Sequence, residues 1–333
     1  MNSSNQVRAI ILAVAFGLPL AAQAPAGDYE SLRFRADAAL EKGSLADAVK
    51  LYEQALEMRR QAFGENSAPY AAALVDLARA YQAEGKRTGD AMSLYRRALP
   101  IQEATLGADH PDVATTLLYL AMGTKQDAAH LDEARQLYQR ALDIRTKAFG
   151  PSDPRVAEIL TPLAKMTGDE SLYRRSLVIL DASVHDSPLA ASTLELYSGF
   201  LRGQDRNAEA APLEIRAKQI RSARVAAIGA RRRSEGPKPL RVGGGVTPPR
   251  LKQKIEPEYS DIARANKWQG TVLLKIEVGT DGMAHNIELV RGIGLGLDEK
   301  AAEAISKWEF VPGTKDGQPV PVMATIEVNF RLL

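Results

Sequence analysis

An all-α array of helical repeats followed by a small α+β domain is the architecture this sequence predicts, and three observations predict it. A short apolar signature returns along residues 51–177 at near-regular intervals. A basic stretch rich in glycine and proline interrupts the helical pattern after residue 226. Beyond that break, apolar residues change from helical spacing to strict alternation. A chain of 333 residues, 45% of them hydrophobic, has room for two such units and enough apolar surface to give each a core. The net charge of +2 supplies no general attraction for nucleic acid, and no nucleic-acid partner is expected. With no cysteine, the chain has no disulfides, thiolate metal sites or thiol nucleophiles.

Residues 1–26 read as an export signal. Arg8 follows a polar start, Ala9 to Ala22 carries no charge, and Gln23-Ala24-Pro25-Ala26 supplies a small-x-small cleavage pattern. The apolar run falls short of the roughly 20 residues that cross a bilayer comfortably. Cleavage after Ala22 and retention as a membrane anchor are the alternatives.

Residues 27–226 carry the repeat. Leu51-Tyr52-Glu53-Gln54-Ala55-Leu56 returns as Leu94-Tyr95-Arg96-Arg97-Ala98-Leu99 and as Leu137-Tyr138-Gln139-Arg140-Ala141-Leu142, each 43 residues after the last. Gly64, Gly107 and Gly150 keep the same step. A fourth copy, Leu172-Tyr173-Arg174-Arg175-Ser176-Leu177, arrives after 35 residues, and Ala211 to Ile220 is a weaker fifth. Each unit reads as two helices. In the second unit Leu74, Leu77, Ala78 and Tyr81 share one face of the first helix, and Ala91, Leu94, Tyr95, Ala98 and Leu99 share one face of the second. Pro69, Pro111, Pro154 and Pro188 stand near the starts of first helices, where a missing backbone donor does little harm. The fixed place of Tyr52, Tyr95, Tyr138 and Tyr173 inside the signature assigns them to packing rather than to a ligand stripe.

Residues 227–245 read as a basic, Gly/Pro-rich linker. From Arg221 to Lys252 nine basic residues face one acid, Glu235. Gly243-Gly244-Gly245, Pro237 and Pro239 discourage a continuous helix. Arg231-Arg232-Arg233 reads as a solvated run, with contact to an anionic surface as the other reading.

Residues 246–333 form the second unit. Pro257 to Ala265 suggests a short helix. Val272, Leu274, Ile276 and Val278 alternate along a strand, Asp281-Gly282 supplies a turn, and a second strand follows from Met283 to Val290. Leu297, Ala301, Ala304, Ile305 and Trp308 make a helical stripe, with Glu299, Lys300, Glu303 and Lys307 on the wet side. Asp298 sits where a carboxylate meets exposed backbone donors. In the last strand Val322, Ala324, Ile326, Val328, Phe330 and Leu332 alternate with polar residues, so one sheet face can pack on the helix.

The repeats resemble tetratricopeptide repeats of the longer, kinesin-light-chain type over about residues 30 to 226. Such arrays present a concave surface to proteins, and the resemblance places first helices along it. Pro257-Glu258-Tyr259, Gln269-Gly270-Thr271-Val272, Asp281-Gly282, Leu297-Asp298, Trp308-Glu309-Phe310 with Pro312, and Ile326-Glu327-Val328-Asn329-Phe330 together resemble the TonB C-terminal domain. One departure is Ser260, where that family often has proline. The resemblance implies a periplasmic domain that grips a short segment of an outer-membrane receptor and passes on inner-membrane energy. It implies envelope partners, an outer-membrane receptor or a secretion component, with Thr325, Glu327, Asn329 and Arg331 as the candidate peptide-docking strand. Periplasmic location is the expectation, with an inner-membrane anchor as the alternative. A non-transducing periplasmic scaffold is the competing function, because helical repeats stand where TonB has its long proline-rich reach.

No enzyme, cofactor or metal is expected. Gly292-Ile293-Gly294-Leu295-Gly296 lacks the third glycine and the βαβ setting of a dinucleotide loop and reads as a flexible connection. His110, His130, His185 and His285 show no ligand spacing, and no serine, histidine and acid stand in a recognisable catalytic context.

Overall fold

The computed structural model describes residues 26–41, 44–85, 87–124, 130–183, 186–230 and 238–332. The segment read as an export signal lies outside them apart from Ala26, as do His185 and Arg231–Arg233.

Consecutive helices pair along the array: α1 (Ala26–Glu41) with α2 (Leu45–Phe63), α3 (Ala68–Glu84) with α4 (Thr88–Leu106), and α5 (Pro111–Gly123) with α6 (Leu131–Phe149). Helices α7 (Pro154–Thr167) and α8 (Glu170–Ser183) follow, then α9 (Pro188–Arg202) and α10 (Asn207–Ala230). First helices begin alike because their caps are alike. Ser67, Asp153 and Ser187 accept hydrogen bonds from the N–H groups of Tyr70, Arg155 and Ala190 at 3.4, 2.9 and 3.1 Å, each with proline in the first turn. Second helices end on Gly64, Gly107 and Gly150 at φ 75°, 95° and 88°, a region that side chains with a Cβ resist.

The signature tyrosines are core residues: Tyr52, Tyr95, Tyr138 and Tyr173 are 4%, 0%, 4% and 1% exposed. Their hydroxyls need partners when buried. Tyr95 donates to Gln82 Oε1 at 2.7 Å while its ring stacks on Tyr119, and Tyr52 donates to Asp37. The fourth copy comes early because α8 starts two residues before Leu172, whereas α6 starts six before Leu137. Its packing survives the shortening. Thr161, Ser176 and Thr193, all buried, share hydrogen bonds of 2.8 Å that tie α7, α8 and α9.

The C-terminal sheet is antiparallel with order β3-β2-β7, built from β2 (Gly270–Val278), β3 (Ala284–Arg291) and β7 (Val322–Phe330). Val272, Leu274, Ile276 and Val278 are fully buried against α12 (Leu297–Ile305). A short helix, α11 (Asp261–Ala265), precedes β2, and β1 (Arg250–Gln253) pairs with β4 (Glu309–Val311). The small hairpin of β5 (Thr314–Lys315) and β6 (Gln318–Pro319) leads into β7.

Two features depart from an exposed link between independent parts. The apolar core around β2 and α12 includes Val225 of α10, with Leu196 of α9 and Ile228 of α10 packed on it. Residues 241–245 are exposed, but Leu240 is fastened to the sheet: its N–H donates to Pro321 O and its carbonyl accepts from Met323 N, both at 2.8 Å. An edge strand offers unpaired main-chain groups, and Leu240 satisfies two of them.

Candidate functional site

The docking candidates are placed by the pleat of β7. Nine residue pairs join it to β2, from Gly270↔Phe330 to Val278↔Val322. Met323 N points away from β2, toward Leu240. Main-chain direction repeats every second residue in an antiparallel strand, so Thr325, Glu327 and Asn329 also turn their N–H and C=O groups outward. Their side chains are exposed, while Val322, Val328 and Phe330 are buried beneath. Asn329 Oδ1 accepts from Thr271 Oγ1 at 2.5 Å, which fixes its side chain over β2. Arg331 lies one residue past the strand, and Leu332 N donates to Gln269 Oε1 at 3.2 Å. Beyond Leu240 no described residue pairs with this edge through the main chain.

The opposite edge is different. Helix α10 packs on β3, so closely at Gly229 that an added Cβ would come 2.4 Å from Ile287 N. A buried ionic cluster holds it there. Arg221, 1% exposed, donates to Glu195 of α9 at 2.8 and 3.0 Å, to Glu299 of α12 at 2.7 and 2.9 Å, and to Ser192 at 3.0 Å. Burial pulls the guanidinium toward losing its proton, but the Glu195 hydrogen bonds and the nearby carboxylates more than offset this, leaving its pKa above the ordinary value. Glu195 also accepts from Leu295 N at 2.7 Å, and Asp298 accepts from Ile293 N at 2.8 Å and from Gly294 N. Burial raises the Asp298 carboxyl to about 6; the Ile293 hydrogen bond and Arg221 work against that rise.

Two expectations are corrected here, and one open point is resolved. Glu299 is buried at 4% exposure rather than wet, because α10 covers the face of α12 that a lone domain would show to solvent. The loop Gly292–Gly296 is not a loose connection, since Asp298 and Glu195 bind its main chain. Ser260 settles the first turn: its Oγ accepts from Ala263 N at 3.2 Å, capping α11, and donates to Leu295 O.

Part of the first-helix face is taken up by the chain itself. Arg264 of α11 donates to Ala83 O at the end of α3 at 3.0 Å, and Asn266 accepts from Lys165 of α7. Asp261 lies within electrostatic reach of Arg79 and Tyr119.

A family model described as the Gram-negative bacterial TonB protein C-terminal matches residues 255–332. A tetratricopeptide repeat model matches residues 29–104 and 86–146. Protein tonB2 of Pseudomonas aeruginosa is 31% identical over 77 residues, 23% of this chain and 28% of that protein. Protein TonB of Vibrio cholerae is 34% identical over 86 residues, 26% of this chain and 35% of that protein. The chain thus spans about a third of the length of the curated relatives it matches. Among solved structures, BtubC (BKLC) from P. vanneervenii superposes with a TM-score of 0.51 at 23% identity, covering 63% of this chain and 85% of that one. That likeness concerns fold alone. The chain contains a C-terminal TonB-like domain preceded by an array of tetratricopeptide repeats. Among the described residues no group of acids and histidines is arranged to hold a metal ion.

Proposed function

We propose that this protein is a periplasmic adaptor linked to TonB-type transport, whose β7 edge takes an extended segment of an envelope partner as an added strand. One observation carries the reading. Thr325, Glu327 and Asn329 direct main-chain donors and acceptors outward on a strand whose partner side is otherwise open. Main-chain pairing supplies affinity in strand addition, and the exposed side chains of Thr325, Glu327, Asn329 and Arg331 supply selectivity. An outer-membrane receptor or a secretion component is the partner class that the TonB resemblance implies.

A scaffold that binds without passing on force is the second reading, and the Arg221 cluster favours it. A domain fastened to its neighbouring helices is poorly suited to reach across a compartment. Among the described residues no helix is long and apolar enough to cross a membrane. Mass measurement of the mature N-terminus in fractionated cells separates the two: an uncleaved apolar segment in the inner membrane supports force coupling, and a cleaved form supports the scaffold.

The docking edge is tested by photo-crosslinking in the producing envelope. A benzophenone side chain at Thr325 or Asn329 should give one discrete adduct that maps to an extended segment of an outer-membrane protein. The same group at Lys275, exposed on the central strand, should give none. Equal adducts from both positions, or none from either, would remove the β7 assignment.

A further inference from the structure

The last repeat pair and the C-terminal domain do not close completely on each other. Between them lies a half-open cavity of about 680 Å3, within the roughly 300–1,000 Å3 of small-molecule sites. Leu196 and Phe200 of α9 form one wall; Trp268, Val290 and Ile293 form the other. Trp268 and Val290 are 47% and 52% exposed, so two large apolar side chains face one cleft without cover. The Trp268 indole is nonetheless fixed, because its N–H donates to Ile293 O at 2.7 Å.

Polar groups of the lining divide by sign. Each acid is already engaged: Glu195 by Arg221 and Leu295 N, Glu214 by Arg202, and Asp298 by the main chain of Ile293 and Gly294. Lys218 and Arg291 are exposed and make no ion pair among the described residues. The cleft is therefore apolar within and cationic at its rim.

Main-chain chemistry narrows the occupant further. In the loop that lines the cleft, the N–H groups of Ile293, Gly294 and Leu295 and the carbonyls of Ile293, Gly294 and Leu295 all have partners inside the protein. A peptide buried there would find no main-chain partner at Ile293, Gly294 or Leu295, and unpaired polar groups are costly away from water. A hydrocarbon chain requires none.

We propose that this cleft binds a fatty-acid-type anionic amphiphile, with its acyl chain between Phe200 and Trp268 and its carboxylate at Lys218 and Arg291. The site draws residues from both modules, so an occupant bridges them. It shares no residue with the β7 edge, and either assignment can fail without the other.

Titration of the full chain with the fluorescent fatty acid cis-parinarate tests this. Uptake should saturate at one site per chain, and Gly199→Phe should weaken it by about tenfold or more. A Cβ at Gly199 meets nothing within 4 Å, and phenylalanine suits a helix better than glycine does, so this variant should fold. Lys218→Glu combined with Arg291→Glu should weaken binding to a similar extent, as should the methyl ester of the ligand on the unaltered protein. Among saturated competitors, each methylene removed should cost roughly fourfold in affinity. Absence of saturable uptake, or uptake that Gly199→Phe leaves unchanged, overturns the site. Equal binding of acid and ester overturns the role of the cationic rim. A protein that ignores parinarate but takes up a leucine- and aspartate-rich peptide at this cleft overturns the choice of a lipid.

Discussion

The two edges of the C-terminal sheet are chemically alike as strands but differ in what lies beside them. β3 carries α10 along it, locked through Arg221, Glu195 and Glu299. Among the described residues, β7 carries only Leu240 near its start and leaves Thr325, Glu327 and Asn329 facing outward. The sheet's own sequence does not decide which edge is available. A helix that ends more than 50 residues before β3 begins makes that choice by covering one of them. The array thus acts on the C-terminal domain as a molecular cover, and part of its first-helix face is used for that contact.

The largest expected effect comes from removing the lock. Arg221→Ala leaves Glu299 buried with only Arg224, at 3.4 Å, as a cation and half-buried Glu195 without its guanidinium, and should cost about 3–5 kcal/mol in chemical denaturation. Retained stability in that variant would show that the cover on β3 does not depend on the ionic cluster. A smaller loss is expected from Gly229→Val, which forces α10 away from Ile287; overpacking of this kind costs about 1–3 kcal/mol. Faster hydrogen exchange in β3, with β7 unchanged, is the signature that would tie the loss to one edge.

Asp298 offers a test of the junction with the opposite sign. Its folded pKa, raised to about 6, lies above the ordinary carboxylate value. The folded state therefore binds more protons than the unfolded state between about pH 4 and 6, and this residue's contribution to stability falls as pH rises through that window. Asp298→Asn should be more stable than the parent at pH 7.5, by about 1–2 kcal/mol, with the difference vanishing near pH 4. A pH-independent difference in melting temperature would refute the burial argument.

The smallest stability effect should appear on the open edge. Glu327→Pro removes an N–H that faces away from β2, a change edge strands tolerate, so unfolding should shift by less than about 1 kcal/mol. Partner cross-linking at Asn329 should nevertheless be lost. Ile326→Pro, whose N–H faces β2, should instead destabilise the domain by about 3 kcal/mol or more. If both prolines behave alike, the outward parity assigned to Thr325, Glu327 and Asn329 is wrong.

Most of the helical array was legible because its information is local and repeated. Caps, prolines, i, i+3, i+4 stripes and closing glycines recur along the array, and the tyrosines of the signature are buried where the pattern puts them. The alternation in β2 and β7 was equally plain. Long-range pairing was not. Glu299 read as a solvated helix residue because its partner stands 78 positions earlier, at Arg221. One signal was available: Ala217, Arg221 and Val225 share a helical stripe, and an arginine in an apolar stripe implies a buried acid somewhere. Ser260 read as a departure from a family pattern, although a serine two residues before Ile262 is also an ordinary helix cap.

Sequence alone determined the paired helices, the core faces of β2 and β7 and the change of architecture after the array, since periodicity and turn chemistry act between near neighbours. Tertiary structure alone decided that the domain is fastened to α9 and α10, that β3 is covered and that an apolar cleft remains at Phe200 and Trp268. These outcomes depend on contacts between residues far apart in the chain. Their energies arise from shape and charge meeting in space, and no spacing rule along the sequence records that meeting.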